Sequence, residues 1–437
     1  MLTSLLIRYL RWANRAALSF PDICEPATLP CPIPDRRYLL YVHIPYCEVL
    51  CPFCTFHRVE FRKTKALHYY RALRREIRLY HETGFDFAEV YVGGGTPTVV
   101  PEELGETLHL IRSLFSVGDI SVETNPDHLR PSVLTMLKEA GVNRLSVGVQ
   151  SFDDRLLKEM DRYAKYGSGA QIIGRLQDTK GIFDTVNADL LFNLPHQTRQ
   201  SLINDVEIVT NDLQLDQVSY YPLMPAKSTM KKMSRQMGQV TFTNERQYYY
   251  LIHDMISRTY QPSSAWCFSR DAGMIDEYIV DYDQYVGVGS GSFGYLDGTI
   301  HANSFSISQY IDRVNRGLTG ITRSKTFTRQ EQLRYFLMTS LFGLSLSKRR
   351  AEKLFGPSFF HELHWELRAL RWLGAIKDRG EQLVLTRRGM YYWVMLMREF
   401  LMGVNNFRDE MRGNIRIERT AQRELAASLN AGSERRP

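Results

Sequence analysis

Three of the six cysteines fall within eight residues: Cys47, Cys51 and Cys54, in the stretch HIPYCEVLCPFCTFHR. Thiolates are soft ligands, suited to zinc or to iron–sulfur clusters. A structural zinc ion takes a fourth ligand, usually from a second Cys or His pair. Cys24, Cys31 and Cys267 show no such pairing, and HELH at 361–364 is neither HExxH nor close to another cysteine pair. Three close thiolates on one loop instead suit a cubane cluster with one iron left open, and an open iron is where chemistry can occur.

Four further motifs could serve that centre. VYVGGGTPT supplies Gly93, Gly94, Gly95 and Thr96 after a strand, and successive glycines let backbone approach a ligand that side chains would exclude. It is neither GxGxxG nor a phosphate-binding loop ending in GK[ST]. VETNP puts Glu123 at a strand end. NRLSVGVQSF has Arg144 at one end of a strand and Gln150 at the other, and NADLLFNLP carries Asp189. A strand-end acid alone is commonly a helix cap or an ion-pair partner; the order of the motifs is far more specific than any one of them.

The elements that must position these residues follow from alternating patterns. Strands are expected over 38–44, 89–94, 120–124, 144–149, 187–192 and 217–222, with amphipathic stretches over 63–82, 101–115, 130–140, 153–177 and 198–212. Six β-then-α units imply a parallel sheet in the α/β class, an open or partial barrel, with chemistry at the carboxyl ends of the strands. The motifs all fall there. The expected organisation is a basic amphipathic N-terminal helix and Pro-rich linker (1–36), the barrel (37–235), a barrel extension (236–325), a winged-helix-like module (326–411) and a polar, frayed tail (412–437).

Composition is that of an ordinary globular protein, with 44% apolar and 24% charged residues, so it argues against disorder or a collagen-like chain. Six cysteines in 437 residues do not make a disulfide framework and point to a reducing, cytoplasmic setting. The net charge of +7 does not choose among anionic partners. No uninterrupted run reaches the roughly 18–20 apolar residues of a membrane span. In MLTSLLIRYLRWANRAALSF, Arg8, Arg11 and Arg15 oppose a face of Leu, Tyr, Trp and Phe, the pattern of a helix lying at a membrane surface. SKRRAEK (347–353) is the one clustered basic run in the C-terminal module and reads as a solvated face, so no nucleic acid is expected as a partner.

YVHIPYCEVLCPFC, GGGTP, ETNP, RLSVGVQSFDDRLLKEMDR and ADLLFNLP together resemble radical S-adenosylmethionine enzymes. The resemblance spans about residues 36–325 and implies that the sheet closes as a partial (β/α)6 barrel. It lies with the branch of oxygen-independent coproporphyrinogen III oxidase, the related heme chaperones and the class C radical methyltransferases. It implies that Cys47, Cys51 and Cys54 bind three irons of a 4Fe–4S cluster, the fourth iron chelating S-adenosylmethionine. It further implies that Tyr41 and the Gly93–Gly95 backbone hold the methionine part, with Thr96 in the same loop. Glu123, Gln150, Arg162 and Asp189 match positions that contact the ribose or polar groups, although MDRYAK departs from the family after Arg162. YVGVGSGSFG (285–294) matches a glycine segment near the adenine and substrate side.

Within the family, the oxidase has an additional cysteine two positions after the third, where this chain has Phe56 following Thr55. Heme chaperones share CxxxCxxCxF but carry an HNxxYW-like motif that GMIDEYIVDYDQYVGVG lacks. The expectation is therefore a class C methyltransferase. It would use a second S-adenosylmethionine to methylate an sp² carbon of a flat aromatic substrate, menaquinone before others, with electrons from a low-potential donor such as flavodoxin or ferredoxin. The alternatives are an anaerobic heme-degrading methyltransferase, an oxidase-like enzyme, and a non-catalytic heme chaperone. The N-terminal pattern adds the expectation of peripheral attachment at the inner face of the membrane.

Overall fold

Strand β1 (Arg37–Ile44) reads RYLLYVHI and is buried from its second residue onward, the near-continuous apolar run of a strand covered on both faces. The computed structural model describes residues 31–271 and 282–433, with side chains through 413, and sets β1 inside a 12-stranded sheet. Next to it, parallel and in chain order, lie β2 (Asp86–Gly94), β3 (Asp119–Thr124), β4 (Arg144–Gln150), β5 (Thr185–Phe192) and β6 (Gln217–Pro222). The connections carry α1 (Lys63–Glu82), α2 (Pro101–Leu114), α3 (Pro131–Glu139), α4 (Asp154–Glu159), α5 (Tyr163–Tyr166), α6 (Gly169–Gln177) and α7 (Arg199–Glu207). This is the partial barrel expected from the alternation.

One expected helical stretch, 153–177, is three helices instead. Asp161 (φ 56°) and Gly167 (φ 90°) take left-handed backbone that a helix cannot continue through. The first break turns the chain so that Arg162 enters the barrel mouth.

After β6 come α8 (Lys227–Gln236) and α9 (Glu245–Ile256), then β7 (Gln261–Pro262) and β8 (Cys267–Ser269), the latter antiparallel to β6. At the other edge β9 (Tyr285–Val288) lies parallel to β1, followed by antiparallel β10 (Phe293–Leu296), β11 (Thr299–Asn303) and β12 (Ile321–Thr326), with α10 (Ile307–Asn315) before the last. A buried carboxyl pins this edge to the barrel. Glu76 of α1 accepts from the backbone N–H groups of Gly289 (2.8 Å) and Gly320 (2.6 Å), from Tyr310 Oη (2.7 Å) and from Asn303 Nδ2 (3.2 Å). Burial still pushes its pKa up against those bonds.

The C-terminal module comprises α11 (Arg329–Phe342), β13 (Ser345–Ser347), α12 (Lys348–Phe355), α13 (Phe359–Glu362), α14 (His364–Trp372), β14 (Ile376–Arg379) and β15 (Gln382–Leu385), its three strands ordered β13-β15-β14. A last helix, α15 (Arg387–Ser433), then returns to the barrel. In the polar tail from Arg412 the backbone is helical to Ser433, in a run rich in Arg, Glu, Gln, Ala and Leu, all strong helix formers. The amphipathic segment 1–20 and most of the Pro-rich linker lie outside the described residues.

Helix α15 is anchored by a buried ion triad. Arg398 donates to Glu245 of α9 and, at 2.9 Å, to Glu399, with its guanidinium 4.0 Å from the Phe242 ring centroid. All three charged side chains are about 1% exposed. Replacing Arg398 with Met strands two carboxylates in the core, so unfolding free energy in denaturant titration should fall by about 3–5 kcal/mol. The triple variant Arg398→Met, Glu245→Gln, Glu399→Gln should recover most of it.

Candidate functional site

The carboxyl ends of β1–β6 open into one cavity of about 350 Å³. Cys47, Cys51 and Cys54 line it, together with Tyr41, Gly94, Gly95, Glu123, Gln150, Arg162 and Asp189. Residues far apart in the chain are therefore gathered as the motif order implied. Gly93 and Thr96 stand just behind the wall.

The glycines have a steric cause. A Cβ on Gly93 would lie 2.8 Å from the Glu123 carboxyl, one on Gly94 2.7 Å from the His43 ring, and one on Gly95 2.6 Å from Tyr46 O and 3.0 Å from Cys47 Sγ. Gly94 also takes φ 117°, which side chains disfavour. The loop is tied to the cysteine strand by Gly95 N–H to Ile44 O (2.7 Å) and Thr96 N–H to Tyr46 O (2.8 Å). Thr96 Oγ1 reaches Cys47 Sγ at 3.5 Å and accepts from Asn125 Nδ2 at 2.9 Å.

The cysteine loop is held by cations. Arg58 donates to Cys54 O (2.9 Å) and Cys51 O (2.5 Å). Arg162 points at Cys51 Sγ (3.6 Å), donates to Asn125 Oδ1 (3.2 Å) and Gly148 O, and lies 4.1 Å from the Tyr166 ring centroid. Lys165 binds Glu48 of the loop and, at 3.4 Å, Asp127. Among the described residues, three ligating atoms mutually within 4.8 Å belong to Glu48, Asp127 and His128, not to the cysteines. Three thiols line one cavity with no fourth cysteine among its lining residues, a donor set that fits a cluster with one iron left open. Burial, then Cys54, pushes the Cys47 thiol up to about 12, so metal must displace a proton there. With three thiolates binding, such a cluster supplies one-electron chemistry at its remaining iron.

The residues expected to contact a cofactor form a polar wall of the cavity. Glu123 accepts from Tyr91 Oη (2.9 Å) and Gly94 N–H (3.1 Å); Asp189 accepts from Ser146 Oγ and Asn187 Nδ2, both at 2.8 Å. Gln150 has φ 76°, a left-handed conformation that a non-glycine residue rarely takes. Tyr41 Oη meets His43 Nδ1 at 2.9 Å, and His43 Nε2 lies 2.8 Å from His57 O. A carbonyl only accepts, so Nε2 carries the proton and Tyr41 donates to Nδ1. Burial drives His43 down to about 4, keeping it neutral. Arg144 is no part of this wall: it is buried and binds Gln217 Oε1 (3.0 Å) and Ser121 Oγ (2.8 Å), clamping strands together.

Sequence reasoning did not single out Arg58, Asn125, Tyr91 or the contribution of α15. Asn125 lies inside the ETNP motif and Arg58 four residues after Cys54, so both had a local signal. Phe400, Asn405 and Arg408 of α15 also line the cavity, with no motif to mark them. Gly291, in the glycine segment, lines it as well.

Burial, then Asp189, raises Glu123 to about 7. The folded protein keeps this proton between the unfolded carboxyl's range near 4.5 and about 7, so this group's contribution to stability is lost as pH rises through that window. Glu123→Gln removes the penalty. Thermal midpoints of the cofactor-free variant and the parent should coincide near pH 4.5 and separate by pH 8, the variant being higher; equal midpoints throughout would contradict the assignment.

Comparison with known proteins agrees with this geometry. Residues 41–208 match the radical SAM superfamily model. The heme chaperone HemW of Bacillus subtilis is 29% identical over 364 residues, covering 80% of this chain and 95% of that protein. The oxygen-independent coproporphyrinogen III oxidase of Escherichia coli is 27% identical over 337 residues, 70% of this chain and 72% of the oxidase. Its solved structure superposes with a TM-score of 0.70 over 83% of this chain and 90% of that one, at 24% identity, a likeness of fold. These relatives overturn the expected methyltransferase acting on menaquinone. Thr55 and Phe56 remove the oxidase's additional cysteine, but they do not specify methyl transfer. Phe56 instead lies under Arg408 of α15, 5.4 Å from the guanidinium carbon to the ring centroid. Residues 41–208 thus carry a radical SAM domain, a superfamily that implies a 4Fe–4S cluster and S-adenosylmethionine, and the chain resembles that superfamily's coproporphyrinogen III oxidase and heme chaperone branch.

Proposed function

We propose that the chain binds a carboxylated tetrapyrrole, as a heme chaperone does, in the cavity between the barrel mouth and α15. The observation that carries this reading is the cavity's make-up. Phe53, Phe56, Tyr221, Phe293 and Met224 give apolar walls for a flat ring, and Arg408 stands among them. A planar apolar body with carboxylate arms is the complement of that lining. The names of the relatives, a heme chaperone and a coproporphyrinogen oxidase, support the same ligand class. One S-adenosylmethionine suffices for this reading; the second was required only for methyl transfer.

A second reading, radical chemistry on the bound tetrapyrrole, is favoured by the polar wall. Glu123, Gln150 and Asp189 line the same cavity as the thiols, an arrangement that a carrier alone does not need. Here the chain's residues would orient the cofactor and keep water from the reacting centre.

Titration of the reconstituted protein with hemin, followed by visible absorbance, should show saturable one-to-one binding. Arg408→Ala should weaken it about tenfold or more, the loss of one charged hydrogen bond of roughly 1.5 kcal/mol. Absence of binding sinks the tetrapyrrole reading. In the same samples, under reductant and with S-adenosylmethionine, formation of 5′-deoxyadenosine that depends on a tetrapyrrole favours the enzyme; binding without turnover favours the carrier.

A further inference from the structure

Helix α14 turns Leu367 into the core of the C-terminal module and leaves its opposite face uncovered. Trp365 and Trp372, seven residues apart and so on one face, are 67% and 76% exposed. Exposing one such ring is unremarkable in a soluble protein, but two aligned on a helix are unusual. Arg368 lies between them, its guanidinium carbon 5.5 Å from the Trp365 ring centroid. The β14 strand beside α14 adds exposed Lys377 and Arg379.

Most of the local acids are in ion pairs, whereas Glu381, in the turn between β14 and β15, is exposed with none among the described residues. Glu362 pairs with Arg329 (3.2 Å), Glu366 with Arg334 (2.8 Å), and Asp378 with Lys348 (2.6 Å) and Arg371 (3.6 Å). Arg368, Lys377 and Arg379 have no ion pair among the described residues. The face is therefore aromatic at its centre, with three unpaired cations, Arg368, Lys377 and Arg379, against one unpaired acid, Glu381, around it.

We propose that this face seats on an anionic lipid bilayer, with Trp365 and Trp372 at headgroup depth and the cations against lipid phosphates. Indole rings are amphipathic and favour that interface, and each nearby cation adds attraction to an anionic leaflet. A second copy of the chain is a poorer occupant, since a two-fold contact would set Arg368 against Arg368 across the interface.

The full chain should sediment with vesicles of an equal mixture of phosphatidylcholine and phosphatidylglycerol, and much less with phosphatidylcholine alone. Binding should weaken as salt is raised. Both rings are exposed, so W365A/W372A leaves the core intact; it should lower partitioning roughly tenfold or more. Arg368→Ala should lower it about fivefold, equivalent to ~1 kcal/mol. An unchanged partition for the double variant overturns the proposal, even if the amphipathic segment 1–20 keeps the chain on the vesicles. So does a dimer seen by light scattering that the double variant dissociates, or binding to duplex DNA or an acidic protein in place of vesicles.

Discussion

Two backbone hydrogen bonds hold the site together: Gly95 N–H to Ile44 O and Thr96 N–H to Tyr46 O. They join the end of β2 to the end of β1, where the cysteine loop departs. The approach is so close that a methyl group on Gly95 would touch both backbone and the Cys47 sulfur. From this contact the remaining requirements follow. The loop must be short, its carbonyls must find donors, and Arg58 supplies one to Cys51 and Cys54 at once. Glu123 must then accept Gly94 N–H to steady the glycine run from the other side.

The surrounding electrostatics divide into structural and chemical parts. Glu76, Arg144 and Arg398 are buried ions or carboxyls whose partners are fixed by the fold, and each ties separate elements together. Arg162 and Glu123 are different, because they border the cavity and keep a face toward it. Burial alone does not separate the two groups. What separates them is whether the bonds made inside the protein leave a side directed at the carboxyl ends of the strands.

Much of this could be read from the chain itself. Strands such as RYLLYVHI announce themselves by their unbroken apolar run, and the three cysteines by their spacing. Tyr41, Glu123, Gln150, Arg162 and Asp189 came from ordered motifs and do meet in one cavity. The break at Gly167 had a local signal, a glycine followed by the Ser168–Gln171 capping box, whereas Asp161 in left-handed backbone had only a weak one. Arg408 had none: its place opposite Phe56 depends on the path of a helix beginning far along the chain. Substrate choice was misjudged for a related reason. Thr55 and Phe56 say what the loop lacks, whereas the cavity's walls are drawn from several distant segments.

The cover over the cysteines is synthesised long after the cysteines themselves. Cys47 to Cys54 emerge with the first strand, and β2 to β6 can assemble around them while the chain is still being extended. The residues from Met397 to Arg408 that line the cavity arrive only after the whole C-terminal module. A nascent barrel would therefore expose its thiols to iron–sulfur donors before the cavity is shut, and sealing would follow as a separate, later folding event.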